Sequence, residues 1–282
     1  MNSKPPPGVS GSSSSAIAGA AGNARRWSRV AADIAQPIAA LVAFVLLWEL
    51  ICRAFSIPAY LVPAPSAIWA DTWKLIGPVW MHTLATTQTT LLGFLASLVV
   101  SLPLAVMLTA SPMIANTIYP LLVLTQSIPK VALAPILVVI FGSNELPRVV
   151  VTFLVAFFPL VLSIAAGITS VPPELIELGR ACKASRWREL WRIRLPYAVP
   201  FIFSGVKAAI TLSVVGAVVG EFVNADKGLG YLIVTSTAFF QVPLAWGALV
   251  LLSLLGIILF QAVVIIEQVF FPWAVDADKQ AV

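Results

Sequence analysis

The sequence predicts an all-α polytopic membrane protein with six transmembrane helices. Of its 282 residues, 60% are hydrophobic and only 10% are charged, whereas a soluble domain is about a quarter charged. The mean hydropathy is correspondingly high, at +0.97. The apolar residues form six long blocks, and a block of about 20 such residues is what a helix needs to cross a bilayer.

Composition also argues against several functions. The net charge is +5. The positive residues cluster in loops on one side of the membrane rather than on the surface of a soluble domain, so we expect no nucleic-acid partner. With one histidine, His82, and two cysteines, Cys52 and Cys182, the chain has no Cys/His cluster of the kind that binds metal. Its few ionisable groups provide little for acid–base catalysis, so we expect no catalytic residue and no cofactor.

The N-terminal part divides into a tail, a span and a loop. Residues 1–36 are rich in Ser, Gly, Ala and Pro and are predicted to form a disordered cytoplasmic tail. The apolar run that follows exceeds the core of a signal peptide, about 7–15 residues, so the segment 37–82 is predicted to hold the first span and an outer loop with a surface helix anchored by Trp69 and Trp73. Glu49, inside this span, is either a functional carboxylate or a group satisfied by water or a neighbouring helix.

The second span is predicted over residues 83–110, and one of its faces is small and weakly polar. The members of this stripe recur at steps of three or four residues: Thr83, Thr86, Thr90, Gly93, Ser97 and Ser101. Such a face lets helices approach each other closely, and it can also line a passage. Of the two interpretations, we favour packing.

The third apolar block, residues 116–141, is interrupted by prolines around Gln126 and Lys130. A broken helix at membrane depth is tolerated where its backbone is buried in protein or faces a water-filled cavity. Lys130 therefore lies either beside a pathway or at an interfacial helix end, from which its side chain reaches the headgroups. The fourth span is predicted over residues 148–168.

The fifth and sixth spans are predicted over residues 196–222 and 243–269. The fifth carries a second stripe of small residues that favours close packing: Gly205, Ala209, Ser213, Gly216, Ala217 and Gly220. Near its outer end lies Glu221, which Lys207 or Lys227 could neutralise. Six spans place both termini on the cytoplasmic side, the second as a short tail over residues 270–282.

The most polar stretch lies between the fourth and fifth spans, at residues 171–196. It carries six Lys/Arg and three Glu, and such charges cannot lie in lipid, since each costs at least about 2.5 kcal/mol at mid-bilayer. A Lys/Arg excess in a short loop marks the cytoplasmic side. The periodicity predicts two short helices on the membrane surface, the second capped by Ser185. We expect this loop to contact a cytoplasmic partner; the alternative is an inert loop that only sets topology.

This stretch resembles the cytoplasmic-loop signature of the inner-membrane permease subunits of bacterial ATP-binding-cassette (ABC) importers. That signature reads Glu-Ala-Ala, three residues, Gly, nine residues, Ile, one residue, Leu-Pro. The matching residues, with the same spacing, are Glu177, Leu178 and Gly179, then Lys183, then Ile193, Leu195 and Pro196. Two positions depart from it, since Ala-Ala is Leu-Gly and a lysine replaces the glycine. If the turn at Lys183 needs positive φ, the lysine costs about 1 kcal/mol.

The resemblance implies that residues 83–269 form the transmembrane domain of a type I (MetI-like) importer permease in the bacterial inner membrane. The loop would then dock on a separate cassette ATPase as a coupling helix, through Glu177, Gly179, Lys183, Arg186, Trp187, Leu190, Ile193, Leu195 and Pro196. Because the chain contains no G-x-x-x-x-G-K-[ST] phosphate cradle, ATP is expected to bind to that partner. The other implied partners are an external solute-binding protein, a second permease copy as a homodimer, and membrane lipid.

The segment 216–231 resembles the subgroup that imports nitrate, sulfonates, taurine, or pyrimidine and flavin precursors. Because Glu221 is ill suited to passing anions, a neutral or cationic aromatic heterocycle is the favoured substrate. The candidates for the translocation pathway are Thr90, Gln126, Lys130 and Glu221.

Two other classes of function compete with the ABC permease. A gradient-driven secondary transporter would need acidic or histidine relays within its spans and often inverted repeats, and the acidic residues Glu49, Glu221 and Glu267 are too scattered for that. A membrane enzyme would need a nucleophile–base pair, a metal cluster or a phosphate-binding loop. Dependence on added ATPase subunits separates the ABC permease from both.

Overall fold

A computed structural model describes residues 35–223 and 225–273, and within these ranges the chain is helical and contains no strand. Nearly all of the predicted N-terminal tail and most of the C-terminal tail lie outside the described residues. The chain divides into two units, Met1–Ser66 and Ala67–Val282.

The first unit contains the predicted first span, helix α1 (Ala35–Ala54). Its Glu49 is satisfied by neighbours. The carboxylate accepts hydrogen bonds from Arg53 Nε at 2.6 Å, from Ser66 Oγ at 2.7 Å and from the Ser66 backbone N–H at 3.0 Å. Glu49 therefore joins the end of α1 to Ser66, in the first turn of the next helix, which supports a structural role for this carboxylate.

Helix α2 (Pro65–Lys74) matches the predicted surface helix, and its Trp69 and Trp73 rings stack on each other 5.7 Å apart. The helices that follow are α3 (Ile76–Ala110), α4 (Pro112–Gln126), α5 (Lys130–Phe141), α6 (Glu145–Thr169), α7 (Pro173–Ala181), α8 (Arg186–Glu189), α9 (Leu195–Val223), α10 (Leu229–Ala238) and α11 (Val242–Phe270). A π-helical turn, Leu190–Arg194, joins α8 to α9.

Within residues 35–223 and 225–273, six helical segments can cross a membrane if the bent third block counts as one. The helices α1, α3, α6, α9 and α11 are each long and apolar enough to cross a membrane. The α4–α5 pair is bent by 93° at a short break, which lies at Ser127–Pro129 as the proline pattern predicts. Pro120 and Pro135 lie inside the two helices rather than at the break.

The core of the second unit is built around α6, which packs between α3 and α9. Both predicted stripes of small residues serve this packing. A Cβ on Gly216 would lie 2.8 Å from Thr152 Cα, and one on Gly220 would lie 2.9 Å from Arg148 Cα, so the backbones of α9 and α6 are in direct contact. On α3, the Ser101 hydroxyl donates to the Phe157 carbonyl of α6 at 3.3 Å. The stripes are packing faces, as favoured.

Two predicted boundaries were wrong, and one helix was not predicted. The second span begins at Ile76 rather than at residue 83, because Pro78 lies in the first turn of α3, where a missing backbone N–H costs nothing. The fifth span is continuous with the second loop helix through the π-helical turn. Helix α10, a short apolar helix that packs between α9 and α11, was not predicted.

Candidate functional site

The cytoplasmic loop contains the two predicted short helices, joined by a tight turn at Lys183. Lys183 has φ of 54°, so the positive φ considered for this position is present. Its N–H donates to the Arg180 carbonyl at 2.8 Å, and the next N–H, of Ala184, donates to the Gly179 carbonyl at 3.0 Å. These two bonds form a Schellman motif, the C-terminal cap that usually takes glycine. The lysine therefore adopts the glycine conformation with some strain.

The first helix of the loop packs on the π-helical turn through one contact. Gly179 is buried, and a Cβ on it would lie 2.6 Å from Ile193 Cδ1. A small residue at this position therefore lets α7 lie against the segment that leads into α9. The motif residues Gly179 and Ile193 are brought together by the fold, although 13 positions separate them in the sequence.

The second helix is capped and then fused to the fifth span. Ser185 Oγ accepts a hydrogen bond from the Arg188 N–H at 3.3 Å, which confirms the predicted N-cap. The buried Glu189 accepts from Arg194 Nη2 at 2.6 Å and from Arg194 Nε at 2.8 Å. This ion pair spans the π-helical turn, so α8 and α9 form one continuous helical segment rather than a separate surface helix and a span.

The predicted coupling residues divide into an exposed group and an internal group. The exposed residues are Glu177, Lys183, Arg186, Trp187 and Pro196, and the internal or half-buried residues are Gly179, Leu190, Ile193 and Leu195. Leu190 and Leu195 pack against the main core of the bundle, so Leu190, one of the predicted docking residues, is half-buried within this chain. The exposed apolar residues of the loop include Leu178, 62% exposed, Trp187, 67% exposed, and Trp191, 55% exposed.

The four predicted pathway residues do not converge on one place. Gln126 ends α4 and is exposed, and Lys130 begins α5 with its Nζ 4.8 Å from the centroid of the Phe158 ring. Thr90 is fully buried, and its hydroxyl has no hydrogen-bond partner among the described residues. Glu221 is 2% exposed and belongs to a closed cluster at the other end of the bundle.

This cluster fastens the outer loop to the bundle. Glu221 Oε2 accepts hydrogen bonds from the Gly230 N–H at 2.8 Å and from Thr86 Oγ1 at 3.1 Å. Thr86 Oγ1 in turn accepts from the Leu229 N–H at 2.7 Å. His82 Nδ1 accepts from the Gly228 N–H at 3.1 Å. The backbone N–H groups that begin α10 are thus held by side chains of α3 and α9.

The ion pairs of Lys207 and Lys227 differ from those expected from the sequence. Lys227 pairs with Glu145 at 2.6 Å, and Lys207 pairs with Glu267 at 2.7 Å, so both lysines expected to neutralise Glu221 bind other carboxylates. The buried Arg148 also contacts the outer loop, since it donates from Nη1 to the Lys227 carbonyl at 3.1 Å and lies 3.7 Å from Asp226 Oδ1. Sequence reasoning missed Arg148, Thr86 and His82 as loop-fastening residues, because each contacts a partner distant in the chain.

The described residues contain no group of three or more His, Cys, Asp or Glu side chains that could hold a metal ion. Cys52 and Cys182 are both free thiols.

Comparison with known proteins relates this bundle to transport subunits. The family described as the inner membrane component of binding-protein-dependent transport systems matches residues 98–272. A probable ABC transporter permease protein of Haemophilus influenzae is 32% identical over 80% of this chain and 92% of its own length. The riboflavin transport system permease protein of Chloroflexus aurantiacus is 33% identical over 83% of this chain and 88% of its own. The formylaminopyrimidine transport permease protein of Halalkalibacterium halodurans is 32% identical, over 84% and 95% respectively.

Among solved structures, the chain is similar to the inward-facing MetNI methionine ABC transporter. The TM-score is 0.58 at 21% sequence identity, and the match covers 71% of this chain and 97% of the other. At this identity the likeness establishes the fold.

Proposed function

Because the chain belongs to the family of inner membrane components of binding-protein-dependent transport systems, it is the permease subunit of an ATP-driven ABC importer, and we propose that residues 171–196 are its coupling loop. The family match favours this function over a gradient-driven secondary transporter. In such systems ATP is hydrolysed on a separate subunit, so the permease needs an element that receives that subunit's movement.

One observation carries the proposal for the loop: its second helix is continuous with α9. A displacement of α8 is transmitted through the π-helical turn and the Glu189–Arg194 ion pair directly into the fifth span. Gly179 against Ile193 keeps α7 attached to the same segment. The loop therefore moves as a unit with α9, which is the mechanical property that coupling requires.

The docking surface that we propose is the exposed part of this loop. Leu178 and Trp187 are large apolar residues more than half exposed to solvent, and Glu177, Lys183 and Arg186 lie around them. An apolar anchor within a charged rim is the usual composition of a protein–protein interface. We propose that this surface binds the cassette ATPase on the cytoplasmic side, with both termini of the chain on that side as well.

The translocation pathway that we propose lies between two copies of the chain, as a homodimer. The supporting observation is that the polar stripes of α3 and α9 are buried by helix packing within one copy, where Thr90 and Glu221 are enclosed. These stripes therefore do not line a passage through a single copy. Gln126 and Lys130, which flank the bent third span, remain the pathway candidates that are not enclosed. An external solute-binding protein would deliver substrate to the opposite face.

For the substrate, we propose a neutral or cationic aromatic heterocycle of the flavin or pyrimidine type. The charge of Glu221 no longer supports this choice, because its carboxylate is enclosed by Thr86, Gly228 and Gly230. The support comes from relatives at 32–33% identity, which are named for riboflavin and formylaminopyrimidine transport, whereas the taurine and sulfonate permeases are 22% and 24% identical.

The test is capture of a cassette ATPase from the same cell by the tagged full chain, with and without Glu177→Arg. We expect the wild-type chain to retain the ATPase and Glu177→Arg to lose it while the membrane fold persists. The matched control is Asp71→Arg, the same charge reversal on helix α2 outside the loop, which should retain the ATPase. Capture that survives Glu177→Arg would exclude this residue from the interface, and failure of the wild-type chain to capture any cassette ATPase would refute the coupling proposal.

A further inference from the structure

A cavity of about 370 Å³, lined by both charged and apolar side chains, lies where the end of α3 meets the coupling loop. One wall is the last turn of the second span, with Thr109 and Ala110. The other wall carries charge from both loop helices and the π-helical turn, at Arg180, Arg186, Glu189 and Arg194. The cavity is thus enclosed by the end of a membrane-spanning helix on one side and a basic loop on the other.

The charge of this cavity is unbalanced. Three guanidinium groups face one carboxylate, so the formal sum is +3 − 1, or +2. Glu189 is already occupied by Arg194, which binds its Oε1 through both Nε and Nη2. Within the part of the chain that the structure describes, Arg180 and Arg186 have neither an ion pair nor a side-chain hydrogen bond. Two guanidinium groups are therefore available to an anion.

We propose that this cavity binds a phosphate group, that of an anionic phospholipid headgroup on the cytoplasmic leaflet. Guanidinium groups bind phosphate oxygens through paired, charge-assisted hydrogen bonds. Basic pockets beside membrane-spanning helices on the cytoplasmic side are where anionic headgroups bind. Arg180 is the main proposed phosphate ligand, because Arg186 and Trp187 also belong to the proposed ATPase surface.

The α3 wall of the cavity indicates that the phosphate belongs to a lipid. Leu102 and Met107 on α3, eight and three residues before Ala110, are 40% and 50% exposed, as expected for side chains that contact acyl chains. A headgroup in the cavity would therefore keep its acyl chains along α3 and attach the coupling loop to the end of the second span.

The experiment uses the purified full chain without its ATPase, so that it does not depend on the coupling proposal. The chain is released from nanodiscs containing phosphatidylglycerol and phosphatidylcholine, and the retained lipids are counted by native mass spectrometry. We expect selective retention of phosphatidylglycerol, weakened roughly five- to tenfold by Arg180→Gln, since one charged contact to a headgroup is lost. Arg180→Lys keeps the charge and should be intermediate. The matched control is Arg192→Gln, an exposed arginine of the same loop outside the cavity, which should retain lipid like the wild type.

The outcomes separate the sources of phosphate. If phosphatidylglycerol is not preferred, but inorganic phosphate binds the wild-type chain and not Arg180→Gln, the cavity takes free phosphate and the lipid assignment is overturned. Equal loss of phosphatidylglycerol in Arg180→Gln and Arg192→Gln would show that the positive charge of the whole loop attracts the lipid, and that the cavity is not a specific binding site. Lack of binding by either ligand would refute the proposal outright, whatever the result of ATPase capture.

Discussion

Lys207 of α9 and Glu267 of α11 form an ion pair inside the bundle, with Nζ 2.7 Å from Oε2 and the glutamate side chain only 3% exposed. The pair joins the fifth span to the sixth. A charge buried without its partner is costly, while a buried pair itself contributes little beyond what apolar residues of similar size would. The pair therefore serves to fix how α9 and α11 meet more than to add stability.

This relationship predicts a strongly non-additive double mutant. We expect Lys207→Met to destabilise the chain by about 3–5 kcal/mol, because Glu267 remains buried and unpaired. The double variant Lys207→Met with Glu267→Met should recover most of that loss. Thermal unfolding in detergent measures both. Lys74→Met, which removes the exposed ion pair with Asp71, is the control and should cost no more than about 1 kcal/mol. Additive losses in the double variant would contradict the pairing.

A second prediction concerns a close approach between the backbones of α9 and α6. Gly220→Ala should destabilise the bundle by about 1–3 kcal/mol, since its Cβ would lie 2.9 Å from the backbone of Arg148 and neither helix can yield locally. Gly256→Ala is the control, because nothing lies within 4 Å of its Cβ; it should be neutral or stabilising by up to about 1 kcal/mol. Thermal unfolding of the two variants in parallel compares their stabilities with that of the wild type. Equal effects of the two substitutions would argue against backbone contact between α9 and α6.

The membrane spans and the two-helix loop could be predicted from the sequence because both are encoded by local patterns. Apolar block length sets the spans, and the motif spacing records a real geometry: the Schellman turn at Lys183 and the contact between Gly179 and Ile193. The predicted separation of the second loop helix from the fifth span at Pro196 was wrong for an identifiable reason. Leu195 N–H bonds to the Leu190 carbonyl five residues back, and this π-helical turn relieves the clash that a proline makes with the preceding turn.

The outer cluster could not be predicted in the same way. Thr86 lies 135 residues from Glu221 in the chain, and nothing in the periodicity of α3 distinguishes it from Thr90, four residues later on the same stripe. Only the tertiary arrangement decides which threonine meets the carboxylate. The same holds for Lys207, whose partner Glu267 lies on another span.

A third prediction addresses the strained turn of the coupling loop. Lys183→Gly should stabilise the chain by roughly 1 kcal/mol, since glycine adopts the observed φ of 54° without a Cβ clash. Arg188→Gly, an exposed helical position in the same loop, should instead cost about 1 kcal/mol. Thermal unfolding measures the global effect, and the rate of limited proteolysis within residues 171–196 reports the local one. Faster cleavage in both variants would mean that the turn does not hold the positive φ.

The last prediction separates two threonines on one face of α3. Thr86→Val should destabilise the chain by about 1–3 kcal/mol, because the Leu229 N–H and one acceptor position of Glu221 would be buried without a partner. Thr90→Val should be neutral or stabilising, because the Thr90 hydroxyl is buried and has no partner among the described residues. Both substitutions preserve shape and side-chain branching, so differences in thermal unfolding report hydrogen bonding alone. If Thr90→Val also impaired substrate uptake while leaving stability unchanged, Thr90 would have a role in translocation that its buried position within a single copy does not explain.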